Sequence, residues 1–185
     1  MNFKTYSYLE GKHSALSPSS YIWMRKNDDE FRQAYLNSKA KEKGTKLHEI
    51  AKNLIEEGIK LPKSHKTLNM YVNDAIGYRM TPEVVLRYSD LAFGTADAIR
   101  FDKNFLRIHD LKTGVTPAHI EQLYGYAAYF CLNYNIKPTD IECELRIYQN
   151  DEVYIEKPEA DVILPIMDRI IRFDKIMHDI EETEA

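Results

Sequence analysis

Two alternating stretches, residues 92–101 and 105–112, flank Asp102-Lys103-Asn104 and constrain the fold more than any other segment. Alternation of apolar and polar side chains is the pattern of a strand with one buried face. Asp, Lys and Asn between two such runs favour a tight hairpin turn. With Lys103 and Asn104 at the tip, residues pair where their numbers sum to 207, and Asp97 falls opposite Asp110. Opposed side chains in an antiparallel pair have Cβ atoms roughly 4.5–5.5 Å apart. Lys112, two residues beyond Asp110, points to the same face. Ile99, Phe101, Leu106 and Ile108 share that face as an apolar floor. A register slip of one residue would put the two acids on opposite faces.

Two acids and a lysine over such a floor admit two readings. Mg²⁺ or Mn²⁺ held by carboxylate oxygens relieves charge on a crowded phosphate and generates a nucleophilic water. The lysine then positions that water or offsets the phosphate charge. Asp-x-Lys is also a common tripeptide, and on an exposed strand it is a solvated ion pair of small value. The floor favours the first reading, because acids beside large apolar side chains are costly without a compensating cation.

Two helices bring further polar groups. Residues 44–58 carry an apolar stripe of Leu47, Ile50, Ala51, Leu54 and Ile55, with Gly58 as the stop. His48 sits at the stripe's edge and reads either as a metal ligand or as a half-buried, hydrogen-bonded histidine. A helix over 117–133 is expected, capped by Thr116 with Pro117 as its first residue. Gln122 and Tyr126, four apart, share one face. They read as contacts to a phosphate or base, or as ordinary helix packing.

Gly-Thr-Lys-Leu-His at 44–48, Gly-Thr-Ala-Asp at 94–97, Asp-Leu-Lys-Thr-Gly at 110–114 and Gln-x-x-x-Tyr at 122–126 occur in that order. The set resembles the PD-(D/E)XK nuclease superfamily, in its RecB-like branch, over about residues 16–150. Leu-Ser-Pro-Ser at 16–19 is similar to the N-terminal helix of that branch. The resemblance implies a restriction-endonuclease-like core and a divalent-metal-dependent DNA nuclease, an exonuclease of recombination or DNA processing, of phage or mobile-element type. It implies His48, Asp97, Asp110 and the Leu111 backbone carbonyl as ligands of one or two Mg²⁺ or Mn²⁺ ions. Lys112 would be the catalytic lysine, with Gln122, Tyr126 and Thr113 at the substrate, and Glu83 a further acid in the pocket. Many members of the branch hold an iron–sulfur cluster on four cysteines; this chain has only Cys131 and Cys143, which excludes that cluster. Both cysteines fall in apolar patterns and read as core. There is no helicase motif and no G-x-x-x-x-G-K-[ST] phosphate loop, so unwinding would come from another protein. The alternative is an inactive nuclease-like subunit that binds nucleic acid or acts as a protein adaptor.

The chain is 44% hydrophobic and 29% charged, a soluble globular mix. It has no apolar run near the length of a membrane span, and its first residues lack the apolar core of a signal peptide. Two cysteines in apolar surroundings suit a reducing cytosol, so a bacterial or phage-infected cytoplasm is expected. Residues 1–66 carry 13 Lys/Arg against 8 Asp/Glu, and residues 67–185 carry 12 against 21. A basic first part beside an acidic site suits a phosphate backbone, and equally suits solvated helix faces. Tyr6, Tyr8, Tyr21 and Tyr35 lie in the basic part and could stack on bases, or serve as core and rim residues.

The expected elements are helices at 18–26, 28–41, 44–58 and 64–78, a strand at 83–89, the hairpin, the 117–133 helix, strands at 140–149 and 152–156, and a helix at 159–181. That order gives one α/β (α+β) domain: a helical portion 1–80, a core 81–156 around a mixed sheet, and a C-terminal helix 157–185. The strands around the 117–133 helix are expected to form a right-handed parallel unit. Ile163, Ile166, Ile170, Phe173 and Ile176 mark a face for the core or for a second copy of the chain. DNA and a recombination partner protein are the other expected partners.

Overall fold

The hairpin forms with the expected register, but its pairing stops at Ala98–His109, one step short of the expected Asp97–Asp110 pair. In the computed structural model, strands β2 (Phe93–Asp102) and β3 (Phe105–Leu111) pair antiparallel from Ala98–His109 to Asp102–Phe105. Lys103 and Asn104 at the tip have φ of 49° and 61°, the two left-handed residues that let a two-residue turn follow the strand twist. The structure describes residues 14–184, with Ser19, Ser20, Tyr21 and Glu184 by backbone alone. Tyr6, Tyr8 and the Tyr21 side chain therefore lie outside the described residues.

The chain divides into two compact units, Met1–Lys43 and Gly44–Ala185. In the first, Pro18–Arg25 forms a 3-10 helix, and the Trp23 indole N–H donates to the Ser17 carbonyl at 3.0 Å. Helix α1 (Asp28–Glu57) opens with a reciprocal cap. The Glu30 amide donates to Asn27 Oδ1 at 2.9 Å, and the Asn27 amide to Glu30 Oε2 at 3.0 Å. The two helices expected at 28–41 and 44–58 are one helix. Gly44 does not break it, because this glycine serves close approach: a Cβ there would lie 2.6 Å from Thr113 Oγ1. The stop is Gly58, at φ +69°.

The second unit is built on a five-stranded mixed sheet in the order β1-β2-β3-β4-β5, where β1 is Thr81–Arg87, β4 Glu142–Gln149 and β5 Glu152–Glu156. Only β3 and β4 are parallel. Their crossover is helix α3 (Glu121–Tyr134). Pro82 is tolerated because β1 is an edge strand. Helices α2 (Thr67–Gly77) and α4 (Ala160–Glu184) complete the α+β architecture.

Strand alternation sends Cys143, Leu145 and Ile147 to one face and Tyr148 to the other. On the first face they pack with Leu106, Ile108, Leu123, Ala127 and Ile163, from β3, α3 and α4. On the second, Ala51 and Ile55 of α1 and Tyr71, Val72 and Ala75 of α2 cover Ala98, Leu111 and Tyr148. Cys131 and Cys143 are free and buried in the first core, where burial pushes their thiols up to about 11 and about 12. Ile163, Ile166 and Ile170 of α4 face that core, while Phe173 and Ile176 stay exposed.

The second face is polar towards the hairpin end. Glu144 accepts from Arg107 Nε at 2.7 Å and Arg146 Nε at 2.9 Å. Tyr148 donates its hydroxyl to Asp74 Oδ2 at 2.7 Å and lies 3.3 Å from His109 Nδ1. Since that hydroxyl hydrogen is used, Nδ1 is the protonated nitrogen of a neutral His109. Its Nε2 is buried and has no hydrogen-bond partner.

The start of α3 departs from expectation. The helix begins at Glu121, not Pro117, and residues 112–120 form a loop. Gln149 at the end of β4 holds it: Nε2 donates to the carbonyls of Gly114 (2.6 Å) and Thr116 (2.7 Å), and Oε1 accepts from the Ala118 amide (3.1 Å). Of these groups, the Thr116 carbonyl is the one that would accept the first intrahelical bond of a helix from Pro117.

Candidate functional site

The site lies where β1 and β2 stop pairing. Their partners sum to 180 on both sides of residue 97, yet Glu83 and Asp97 make no pair, and Glu83 has φ +51°. Ordinary alternation also fails there: Ala96 and Ile99, three apart, both enter the first core. A non-glycine residue with positive φ in a strand is strained by about 1–3 kcal/mol and marks a place to look for function. The irregularity leaves Glu83 and Asp97 facing His48 of α1. One ligand atom from each of His48, Glu83 and Asp97 lies within 4.8 Å of the others.

His48 Nδ1 is 3.5 Å from Asp97 Oδ2, too long for a strong hydrogen bond. That same oxygen accepts the Leu111 amide at 2.8 Å. Burial, and then the nearby Asp110 charge, push the Asp97 carboxyl up to about 6, with His48 and the Leu111 amide opposing and Glu83 adding to the rise. Asp97 is thus held among acids in a place that resists its own charge, a condition a cation relieves.

Asp110 is 1% exposed. Lys112 Nζ lies 3.1 Å from its Oδ1 and 3.0 Å from its Oδ2, but only the first contact has hydrogen-bond geometry, and Oδ2 is left as a buried oxygen without a donor. Burial raises the Asp110 carboxyl, and Lys112 and His48 oppose the rise. Lys112 Nζ also donates to Gln122 Oε1 at 2.7 Å, and Gln122 Nε2 donates to the Tyr126 hydroxyl at 3.2 Å. The Tyr126 ring is seated against Gly94, where a Cβ would lie 3.1 Å from Cε1.

The sequence-derived residues therefore assemble as two linked groups. His48, Asp97 and Glu83 form one; Asp110, Lys112, Gln122 and Tyr126 form the other, a hydrogen-bonded chain across β3 and α3. Asp110 is near enough to raise Asp97 but is outside the three-residue set. Leu111 joins the groups through its amide and buries its side chain in the second core. Thr113 is exposed and packed at Gly44. Two contributors were not visible as site residues in the sequence. Gln149, which fixes the 114–118 loop, looked like one polar residue of an alternating strand. Tyr71 lies buried in α2, its phenol raised by burial and by the charges of Asp97, Glu83 and Asp110.

The ligand atoms fit a hard divalent cation: carboxylate oxygens and one imidazole nitrogen, beside a buried Asp110 oxygen that has an ion-pair contact to Lys112 but no hydrogen bond. No protein-family model matches the chain, and no curated protein matches it. Among the described residues no helix is long and apolar enough to cross a membrane.

Proposed function

We propose that this protein is a divalent-metal-dependent nuclease of the PD-(D/E)XK superfamily, RecB-like branch, with a restriction-endonuclease-like core acting on DNA. The observation that carries the reading is the strained Glu83–Asp97 break beside a buried, donor-poor Asp110 whose other oxygen tethers Lys112. Two crowded acids, one with its carboxyl raised to about 6, are unfavourable for folding and useful for holding a cation.

His48, Glu83, Asp97 and Asp110 would hold Mg²⁺ or Mn²⁺. When bound, the ion would relieve charge on the scissile phosphate and acidify a water. Asp110 and Gln122 fix the Lys112 ammonium from two sides, so it meets a phosphate oxygen or the attacking water without a search through rotamers. Tyr126, behind Gln122 and pressed on Gly94, limits that amide to one orientation. The Leu111 amide fixes the Asp97 oxygen that faces His48, so the carboxylate enters the cluster already oriented.

The test is incubation of purified protein with end-labelled linear and closed-circular DNA, single- and double-stranded, with Mg²⁺, Mn²⁺ or EDTA. Cleavage that needs metal and falls about 100-fold or more in Lys112→Ala and in Asp110→Asn supports the reading. Sparing of closed circles makes it an exonuclease. Folded wild type without cleavage of any substrate overturns it.

A further inference from the structure

A cavity of about 410 Å³ opens at the hairpin end of the sheet, on the α2 side, lined by Arg79, Arg100, Arg107, Tyr78, Phe105 and Asp102 among others. Three arginines line it, and they are not equally engaged. Arg107 is committed: it donates to Glu144 and stacks 3.8 Å from the Tyr78 ring centroid and 4.9 Å from that of Phe105. Arg100 has only a 3.5 Å contact to Asp102, with both side chains largely in solvent (40% and 60% exposed). A pair of that kind is worth little. Arg79 makes no ion pair or side-chain hydrogen bond among the described residues.

Arg79 carries a second sign. It follows the C-cap of α2 with φ +55°, the position where glycine or asparagine is customary. An L-residue with a Cβ costs roughly 1–2 kcal/mol there. A long cation kept at a strained position in the lining of a concavity it shares with Arg100 points to a ligand there. Two planar forks, one without an ion pair and one with only a weak contact, match the tetrahedral oxygens of a phosphate, which guanidinium groups bind through two parallel hydrogen bonds.

We infer that this pocket binds a backbone phosphate of a nucleic-acid strand, outside the cleavage site. Arg79 and Arg100 would be its ligands, and the stacked Arg107 its rigid wall. Arg100 follows Asp97 by three residues on β2, roughly 10 Å along the strand. The pocket would thus hold a phosphate of the same strand as the one at Asp97, within a few nucleotides of it. The identity of the phosphate rests on the nucleic-acid reading above; the existence of the pocket does not.

The experiment measures binding of a labelled single-stranded DNA oligonucleotide by anisotropy in EDTA, over a series of salt concentrations, alongside metal-dependent cleavage. Arg79→Gly/Arg100→Gln is compared with wild type and with Lys112→Ala. Glycine suits the left-handed backbone at 79, so this variant keeps or gains thermal stability while losing both forks. The expected result is at least tenfold weaker binding and a salt slope reduced by about 0.7 for each phosphate that the variant no longer neutralises. Lys112→Ala lowers the slope on its own account, because its ammonium serves the cleavage site, and combined with the double variant the two losses add; inorganic phosphate competes with the oligonucleotide on wild type more effectively than on the double variant. Equal affinity and slope in wild type and double variant overturn the inference, whether or not cleavage is present. Retained cleavage in that case leaves the nuclease reading standing. Loss of cleavage in wild type with arginine-dependent binding does the reverse.

Discussion

At the scale of single residues, Glu83 sets stability against function. Its φ of +51° is a conformation glycine adopts without penalty, so Glu83→Gly removes backbone strain and one of three crowded acids together. Without metal, Glu83→Gly is expected to melt no lower than wild type, although glycine in a strand usually weakens it. With Mn²⁺, the same variant and Glu83→Gln are both expected to lose about tenfold or more in metal affinity by titration calorimetry. A fall in Tm for the metal-free glycine variant would contradict the strain argument; unchanged Mn²⁺ affinity in both would remove Glu83 from the site. Gln122 is a positioning residue. Gln122→Ala takes away one of the two groups that fix Lys112 and is expected to lower kcat about tenfold with little change in KM, because the lysine remains but is no longer aimed. A change confined to KM would make Gln122 a substrate contact instead.

At the scale of elements, α1 and the 112–120 loop are coupled through Gly44. Alanine at an exposed helix interior gains about 1 kcal/mol over glycine. Here its Cβ would meet Thr113 Oγ1 at 2.6 Å, so Gly44→Ala is expected to gain nothing in urea unfolding and to reduce cleavage by shifting His48, one turn further along the helix. Adding Thr113→Ala removes the obstructing hydroxyl, and the double variant is expected to recover the helix-propensity gain as a coupling of about 0.5 kcal/mol or more. Additive effects would show that the two residues do not press on each other. The hairpin was legible because its alternation and its Lys103-Asn104 turn demand the same register, and that register brought Asp97 and Asp110 into view. The α3 boundary was not legible: Thr116-Pro117 is a good local start, overruled by Gln149 from the far end of β4. The length of α1 was misread for the mirror-image reason, since a glycine kept for close approach to Thr113 looks locally like a glycine that ends a helix. Glu83 entered only through a resemblance, because nothing in Thr-Pro-Glu-Val announces a left-handed backbone.

At the scale of the whole molecule, a buried histidine and a largely buried aspartate on the two strands of the same hairpin make stability depend on pH in opposite directions. His109 is held well below the usual histidine range, first by burial and then by Arg146 and Arg107. The unfolded chain binds this proton below about pH 6.5 and the folded chain does not, so stability falls as pH drops through 6.5, by about 1.4 kcal/mol per pH unit while the difference lasts. Asp97 behaves oppositely. Its carboxyl is pushed up to about 6 from an ordinary 3.8, chiefly by burial, so between those values the folded state holds a proton that the unfolded state has released, and stability rises as pH drops. In EDTA the two are expected to offset each other between about pH 6 and 4. Asp97→Asn uncovers the histidine, and relative to wild type its stability falls as pH drops below 6. His109→Gln uncovers the aspartate, and relative to wild type its stability rises over the same window. Urea unfolding of the three proteins from pH 7.5 to 4 reads the difference curves, in which the other carboxylates cancel; parallel curves would mean that neither group is perturbed as the structure requires. Mn²⁺ adds a sharper check, because an ion held by Asp97 binds only the ionised carboxylate. Its stabilisation of wild type should grow as pH rises through 6 and be nearly absent in Asp97→Asn, which ties the folding cost of the acidic cluster to the cation it would hold.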